Sequence, residues 1–410
     1  MTPQSPPPTD FTFVYFAPAD IQVPRVDRQG VVHFCESVHR LGIPIELVTL
    51  GIEMLESEAR PEHPLDLYRI RERFPVRTVP TSIRQKTQDN RAIHSAFTRL
   101  RVNIAEGLRW LRRVPSGEPI AFFAKNYGPT LAFVIMRAFT RRHLAVFFEA
   151  HVPPRRRLHR AILNRTDGII TNSFALGRDI VESYGIRPEL VLGIHQGIDL
   201  ELVEEDRIPR EEARARFGFA PDEQLIVYAG KIYWEYREVE YILEAARRLP
   251  KDVRVVMVGG RADHVARYRE RIEREGPANV LFTGFVAPID VQAYLAAADV
   301  LVMYYPSGLE LNKYRSPGKL FEYMAADRPI VTADYPVLHE VLGANATAVY
   351  VPADAPEALA DALQRTLAHR EESEAMAHRA FEQVRNFSWT ARARTVVDFM
   401  RRRIAARYAR

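Results

Sequence analysis

The feature that most limits how this chain can fold is a rhythm. Short apolar runs rich in strand-forming residues alternate with stretches whose apolar residues recur every three or four positions. Residues 11–16, 43–50, 120–124, 144–149, 168–172 and 190–194 read as strands, and 30–41, 97–114, 129–141, 156–164 and 173–184 as helices. A glycine turn, HQGID at 195–199, closes this first run. The segment 199–219 is charged, contains Pro209, and reads as a connection between domains. The alternation then restarts. Strands are expected at 225–229, 253–258, 280–285, 300–305 and 330–333, and helices at 262–275, 289–298, near 356–376 and at 389–409. Another helix is traced by Val239, Ile242, Leu243, Ala246 and Leu249. Such alternation predicts right-handed βαβ units and parallel sheets, hence an α/β chain of two doubly wound Rossmann-like domains facing each other across a cleft. The expected boundaries are a disordered tail at 1–9, a first domain at 10–198, the connection at 199–219, a second domain at 220–387 and a last helix at 388–410. The proline-punctuated region 51–87 reads as loop.

Composition narrows the class. At 410 residues the chain exceeds one ordinary core, and 47% hydrophobic with 27% charged residues is the balance of a soluble globular protein. The single cysteine, Cys35, has no partner for an internal disulfide, which fits a reducing compartment. The first residues, MTPQSPPPTD, lack the basic and apolar segments of a secretory signal, and the apolar stretch 131–139 is broken by Arg137. A cytoplasmic location is expected. The net charge of +5 favours anionic partners without choosing among nucleic acid, phospholipid and nucleotide. Arg99, Arg101, Arg109, Arg112 and Arg113 stud the helix 97–114 beside Leu100, Ile104, Leu108, Trp110 and Leu111. Such a helix either packs its apolar stripe on the core and solvates its arginines, or lies on an anionic membrane surface. Basic residues are not interleaved with aromatics as in RNA-binding sheets, so no nucleic-acid partner is expected.

Chemistry concentrates at the ends of expected strands. In 312–334, NKYRSPGKLFEYMAADRPIVTAD, Ser316 is placed to cap a helix and Pro317 suits its first position. Gly318 leaves the backbone bare, and Lys319 sits in the first turn, where a cation opposes the helix dipole. Free N–H groups, a bare glycine and a cation describe a phosphate site. Glu322, three residues on, shares the face of Lys319, and a solvated Lys319–Glu322 ion pair is the alternative reading. Gly230-Lys231 ends the strand 225–229, with Arg237 six residues later, so two cations flank a loop able to hold a diphosphate. Glu149-Ala150-His151 ends the strand 144–149, and a histidine there is either structural or a contact for a sugar or hydroxyl. Gly259 and Gly260 follow the strand 253–258 and would let a flat base approach the backbone. No metal-ligand spacing, Walker lysine loop or nucleophile elbow is present, and no glycine-rich loop follows the first strand.

These pieces together resemble a known family. FFEAH, TDGIITNS, GIHQGID, YAGKIYWEYREVEYILEA, LFTGFV and above all SPGKLFEYMAADRPIVTAD are similar to the motifs of family-4 retaining glycosyltransferases, or glycosyl transferases group 1, of GT-B fold. The resemblance implies transfer of a sugar from a nucleoside-diphosphate sugar to a hydroxyl acceptor with retention, without metal or other cofactor. Lys231, Arg237 and Lys319 would bind the donor phosphates, with Gly230 and the loop of Ser316, Pro317, Gly318 and Leu320 around them. Glu322 would grip the ribose, Gly259, Gly260 and Phe285 would lie near the base, and His151 would lie against the donor sugar. The first domain would bind acceptor and the second donor, with the last helix packing back on the first. Many members carry a glutamate eight residues before the one matching Glu322. Tyr314 stands there, so that sugar contact is missing or replaced by Glu310, Asn312 or backbone amides of 316–320. A lipid-linked or polysaccharide acceptor, with peripheral contact at the inner membrane face through helix 97–114, is compatible with this reading. A sugar-nucleotide epimerase of similar fold and a non-catalytic nucleotide-sugar-binding subunit are its rivals.

Overall fold

The computed structural model of the protein describes residues 11–17, 21, 26–53, 63–84, 96–234, 237–343 and 347–408. The expected tail at 1–9 lies outside them. The chain divides into two compact units, 1–197 with 389–410, and 198–388.

In the first unit, β1 (Thr12–Ala17), β2 (Ile45–Glu53), β3 (Val76–Arg84), β4 (Ile120–Ala124), β5 (Leu144–Ala150), β6 (Gly168–Thr171) and β7 (Val191–Gly193) form one sheet. Their order is β3-β2-β1-β4-β5-β6-β7, and every pairing is parallel. Both faces are covered, which is why the strands read as continuous apolar runs. In β4, Phe123 points into one core with Phe13, Tyr15 and Phe147. Its neighbour Phe122 points into the other with Val14, Phe16 and Phe133. The period of two places them so.

The helix Val26–Arg40 covers the first of these faces, together with the last helix, Trp389–Tyr408. Gly30, expected to open a helix, lies inside it instead. A Cβ at Gly30 would sit 3.1 Å from the Trp389 ring, so the glycine admits that indole. A Cβ at Gly168 would sit 2.6 Å from the Phe399 ring, so β6 makes the same concession.

The second unit repeats the design with β8 (Gln224–Ala229), β9 (Val253–Val258), β10 (Val280–Gly284), β11 (Val300–Met303), β12 (Ile330–Ala333) and β13 (Val349–Val351), ordered β10-β9-β8-β11-β12-β13, again all parallel. In each sheet the order reverses beside the first strand, between β1 and β4 and between β8 and β11. Ligands of such sheets sit at that switch point, beyond the strand carboxyl ends.

Several expectations need correction. The region 51–87 is not all loop: it holds the end of β2, a turn of 3-10 helix at Pro64–Tyr68, and β3. The expected connection 199–219 folds as helices Leu200–Glu205 and Arg210–Phe217 inside the second unit. Its charge suggested solvation, but Arg214 is buried. Its guanidinium donates to the carbonyls of Ala297, Ala220, Pro221 and Glu223 and to the Asp299 carboxylate, while Phe217 stacks on Tyr294 at 3.7 Å. The helix expected near 356–376 is two, Pro356–Ala368 and Arg370–Val384, and the helix Pro336–Leu342 and β13 were not anticipated.

Candidate functional site

In the second unit the switch point is occupied by Lys319. The helix Gly318–Ala325 starts one residue later than the sequence suggests. Pro317 takes the capping position with no side-chain cap, and Ser316 is buried. The amides of Gly318 and Lys319, the first two of the helix, have no intrahelical acceptor by geometry. The Leu320 amide is already committed to the Pro317 carbonyl at 3.1 Å, and its side chain is core.

The Lys319 ammonium bonds the Tyr228 hydroxyl and Glu238 Oε1, each at 3.1 Å. It lies 4.1 Å from the Tyr228 ring centroid and 5.6 Å from that of Tyr305. Burial alone would lower its pKa, but Glu238 and the surrounding tyrosines outweigh burial and hold it well above its ordinary value. The solvated Lys319–Glu322 pair is therefore not formed: Lys319 pairs with Glu238. Burial pushes the Glu322 carboxyl up, with Lys319 pulling the other way.

The loop after β8 closes on the same point. A Cβ at Gly230 would lie 2.8 Å from Lys319 Nζ, and the Tyr228 hydroxyl that meets Lys319 also donates to the Lys231 carbonyl at 3.2 Å. The Lys231 and Arg237 side chains are exposed. The Arg237 guanidinium stands 5.3 Å from the Tyr241 ring, and no hydrogen bond or ion pair among the described residues ties down either cation.

Gly259 and Gly260 adopt φ of 103° and 93°, in the left-handed region that favours glycine. Cβ atoms there would meet the Gly230 carbonyl at 2.4 Å and Ile232 Cβ at 2.7 Å. Their openness thus serves the approach of the Gly230 backbone and the Ile232 side chain. Phe285 is 85% exposed just past β10. Among the suggested sugar contacts, Glu310 is exposed and Tyr314 half-buried. Asn312 is buried and donates to the Pro306 carbonyl at 2.8 Å, a carbonyl that also accepts from the Tyr335 hydroxyl. This makes Asn312 a brace for its loop.

Sequence reasoning missed Glu238. An acidic residue in the first turn of a helix is ordinary, and nothing local points it at Lys319, 81 positions away.

In the first unit, His151 stands beside a buried carboxylate. Glu149 Oε2 accepts from the Tyr15 hydroxyl at 2.9 Å and lies 3.3 Å from Lys125 Nζ. Its Oε1 accepts from Arg392 at 3.0 Å and lies 3.5 Å from His151 Nε2. Burial would raise the Glu149 pKa, yet Lys125, His151 and Arg392 together hold it well below the ordinary carboxylate range. Arg392, on the last helix, also donates to the carbonyls of Ile194 and His195 at 2.8 and 2.6 Å. Neither Glu149 as the centre of this cluster nor Arg392 as its anchor was legible beforehand.

In the second unit a lysine, a glycine loop and a helix start thus converge at the switch point of a parallel sheet, and the first unit carries a sheet of the same order. Residues 223–369 match the family model described as glycosyl transferases group 1. That match lies within the second unit and covers about a third of the chain, and the two parallel sheets have the GT-B fold. It is similar to D-inositol 3-phosphate glycosyltransferase of Mycobacteroides abscessus, 26% identical over 252 residues, covering 60% of this chain and 54% of that one. It is also similar to alpha-monoglucosyldiacylglycerol synthase of Streptococcus pneumoniae, 25% identical over 190 residues, covering 45% and 41%. The match thus spans only about half the length of these curated relatives. Among solved structures, Alr3699/HepE of Anabaena in complex with UDP and glucose shares the fold, with a TM-score of 0.69 over 95% of this chain and 99% of that one at 15% identity.

Proposed function

We propose that the protein is a retaining glycosyltransferase that moves a hexose from a nucleoside-diphosphate sugar to a hydroxyl acceptor. The observation that carries this reading is the Lys319 constellation at the switch point of the second sheet, with two untied cations, Lys231 and Arg237, on the adjoining loop and helix start. As the donor's glycosidic C–O bond breaks, negative charge grows on the leaving β-phosphate. Lys319, Lys231, Arg237 and the amides of Gly318 and Lys319 supply preorganised positive potential for it. Glu322 takes the ribose hydroxyls, Phe285 offers a face to the base, and His151 orients the donor sugar. The acceptor proton passes to a donor phosphate oxygen, so the reaction needs no protein base, metal or other cofactor. The relatives named for inositol phosphate and diacylglycerol support a small polar or lipid-linked acceptor, and the neighbour solved with UDP and glucose supports a nucleotide sugar as donor.

A peripheral membrane position at the cytoplasmic face accompanies this reading. In the helix Ala96–Arg113, Trp110 packs into the core, whereas Ile104 and Leu108 remain 40% and 43% exposed near Arg112. Arg109 and Arg113 are spent on Glu46, at 3.4 and 2.7 Å. The side chains of Arg99, Leu100 and Arg101 lie outside the described residues. Among the described residues no helix is long and apolar enough to cross a membrane.

A thermal-shift screen of the full chain against UDP-, GDP-, ADP- and dTDP-sugars, followed by incubation of the binder with acceptor extract, tests the proposal. A glycosylated acceptor supports it. Altered donor without acceptor would make the protein an epimerase, binding without turnover a non-catalytic subunit, and no stabilisation by any sugar nucleotide would sink the donor site.

A further inference from the structure

Lys319 differs from the two other cations of its site in having a fixed partner. Its ammonium can donate three hydrogen bonds, and Tyr228 and Glu238 take two. The Lys319 and Glu238 side chains are only 16% and 12% exposed, so this is a largely desolvated ion pair. While the site is empty the pair spares a buried ammonium the cost of standing alone. It also places a carboxylate where a diphosphate would bring like charge.

Glu238 does not depend on Lys319 alone. It lies in the first turn of the helix Arg237–Ala246, where the dipole stabilises a carboxylate even without a cation, and the exposed Arg237 precedes it.

We propose that Glu238 is a displaceable counter-ion: it holds Lys319 in the empty site and yields it to the diphosphate of the incoming nucleotide sugar. Resting on the donor reading above, this assigns Glu238 a positioning and release role that Lys231, Arg237 and Lys319 lack. By competing for Lys319, Glu238 weakens the hold on the nucleoside diphosphate left after transfer and hastens its departure. Product release limits turnover in many enzymes, so the competition bears on rate as well as affinity.

The test is calorimetric titration of the full chain with UDP, GDP, ADP and dTDP, comparing wild type, Glu238→Gln, Lys319→Ala and the double variant. Glu238→Gln keeps the shape and removes the charge. The diphosphate that binds wild type is expected to bind this variant about tenfold tighter, a gain on the scale of one ion pair, about 1.4 kcal/mol. Lost folding or packing would not increase affinity. In the Lys319→Ala background the same substitution should change affinity less than about twofold, because the competition has no object. If Glu238→Gln does not fold, Glu238→Ser, a smaller neutral residue, is held to the same expectation. Equal or weaker binding by the neutral variant overturns the proposal while leaving the donor site intact. Undiminished binding after Lys319→Ala, or no binding by wild type, overturns the donor site together with it.

Discussion

The carboxylates Glu149 and Glu238 each pair with a largely buried cation beside a tyrosine, in opposite ways. At Glu149 the carboxylate is the crowded member: Tyr15, Lys125, His151 and Arg392 surround it, and Arg392 also donates to two backbone carbonyls. At Glu238 the cation is the focus, and Lys319 keeps one donor in hand at the start of a helix. A saturated pair ties the last helix to a sheet. An unsaturated one, beside glycines and untied cations, is prepared to change partner. The number of groups around each carboxylate separates the two roles better than burial, since both pairs are largely buried.

The largest effect that could break this contrast is at Arg392. Glu149→Gln should cost about 3–5 kcal/mol by leaving that guanidinium buried without its counter-charge, read as a lower urea midpoint. A cost no larger than that of Glu238→Gln would erase the distinction. Because the Glu149 pKa is depressed on folding, its stabilisation is present above the unfolded value of about 4.3 and lost only as pH falls through the folded one. The gap between wild type and variant should therefore persist down to about pH 4 in acid titrations.

Next in size, Lys319→Ala should weaken nucleoside diphosphate binding by about 1.5–3 kcal/mol in calorimetry, the worth of a charged hydrogen bond, with little loss of melting temperature. Gly260→Ala should destabilise the second unit by about 1–3 kcal/mol, because φ of 93° and Ile232 both resist a methyl group. Denaturant melts would read it, and a neutral outcome would show that the loop after β8 adapts.

The smallest effect sharpens the contrast from the acid side. Burial raises the Glu322 pKa, so the ionised carboxylate costs stability near neutral pH, and the cost vanishes below the unfolded value of about 4.3. Glu322→Gln should melt higher than wild type by about 2 °C at pH 7, and by less at pH 4, while losing donor affinity. A lower melting temperature at pH 7 would contradict the sign.

Much of this fold was legible because buried parallel strands announce themselves as apolar runs. The missed strands have a common cause. β3 and β13 are the outermost strands of their sheets, where pairing on one side suffices: VRTVPTSIR keeps Pro80 inside a strand, and VYV is only three residues long. The switch-point cluster of Lys319, Gly230 and Gly318 was legible because helix starts and strand ends have local signatures. Its electrostatics were not, since Glu238 meets Lys319 from 81 positions away and Arg392 meets Glu149 from 243. Spacing along a chain carries no record of such meetings. The second helix stripe, from Val239 to Leu249, was read correctly for the apolar residues it buries and passed over for the acid it presents.

The division of the chain at 197/198 and 388/389 has a consequence for how the protein is made. The Ile198 amide bonds the Phe387 carbonyl at 2.9 Å, and a Cβ at Gly197 would touch the Trp389 backbone nitrogen at 2.9 Å, so the chain leaves and re-enters the first unit at one spot. The second unit is an insert with adjoining ends. On a ribosome it can finish folding while the first waits for Trp389, Val396, Phe399 and Met400 to complete its core. A chain stopped at 388 should keep a protease-resistant fragment from about 198 onward and lose the first 197 residues to digestion, and protection of both halves would show that the last helix arrives as an ornament to a core already closed.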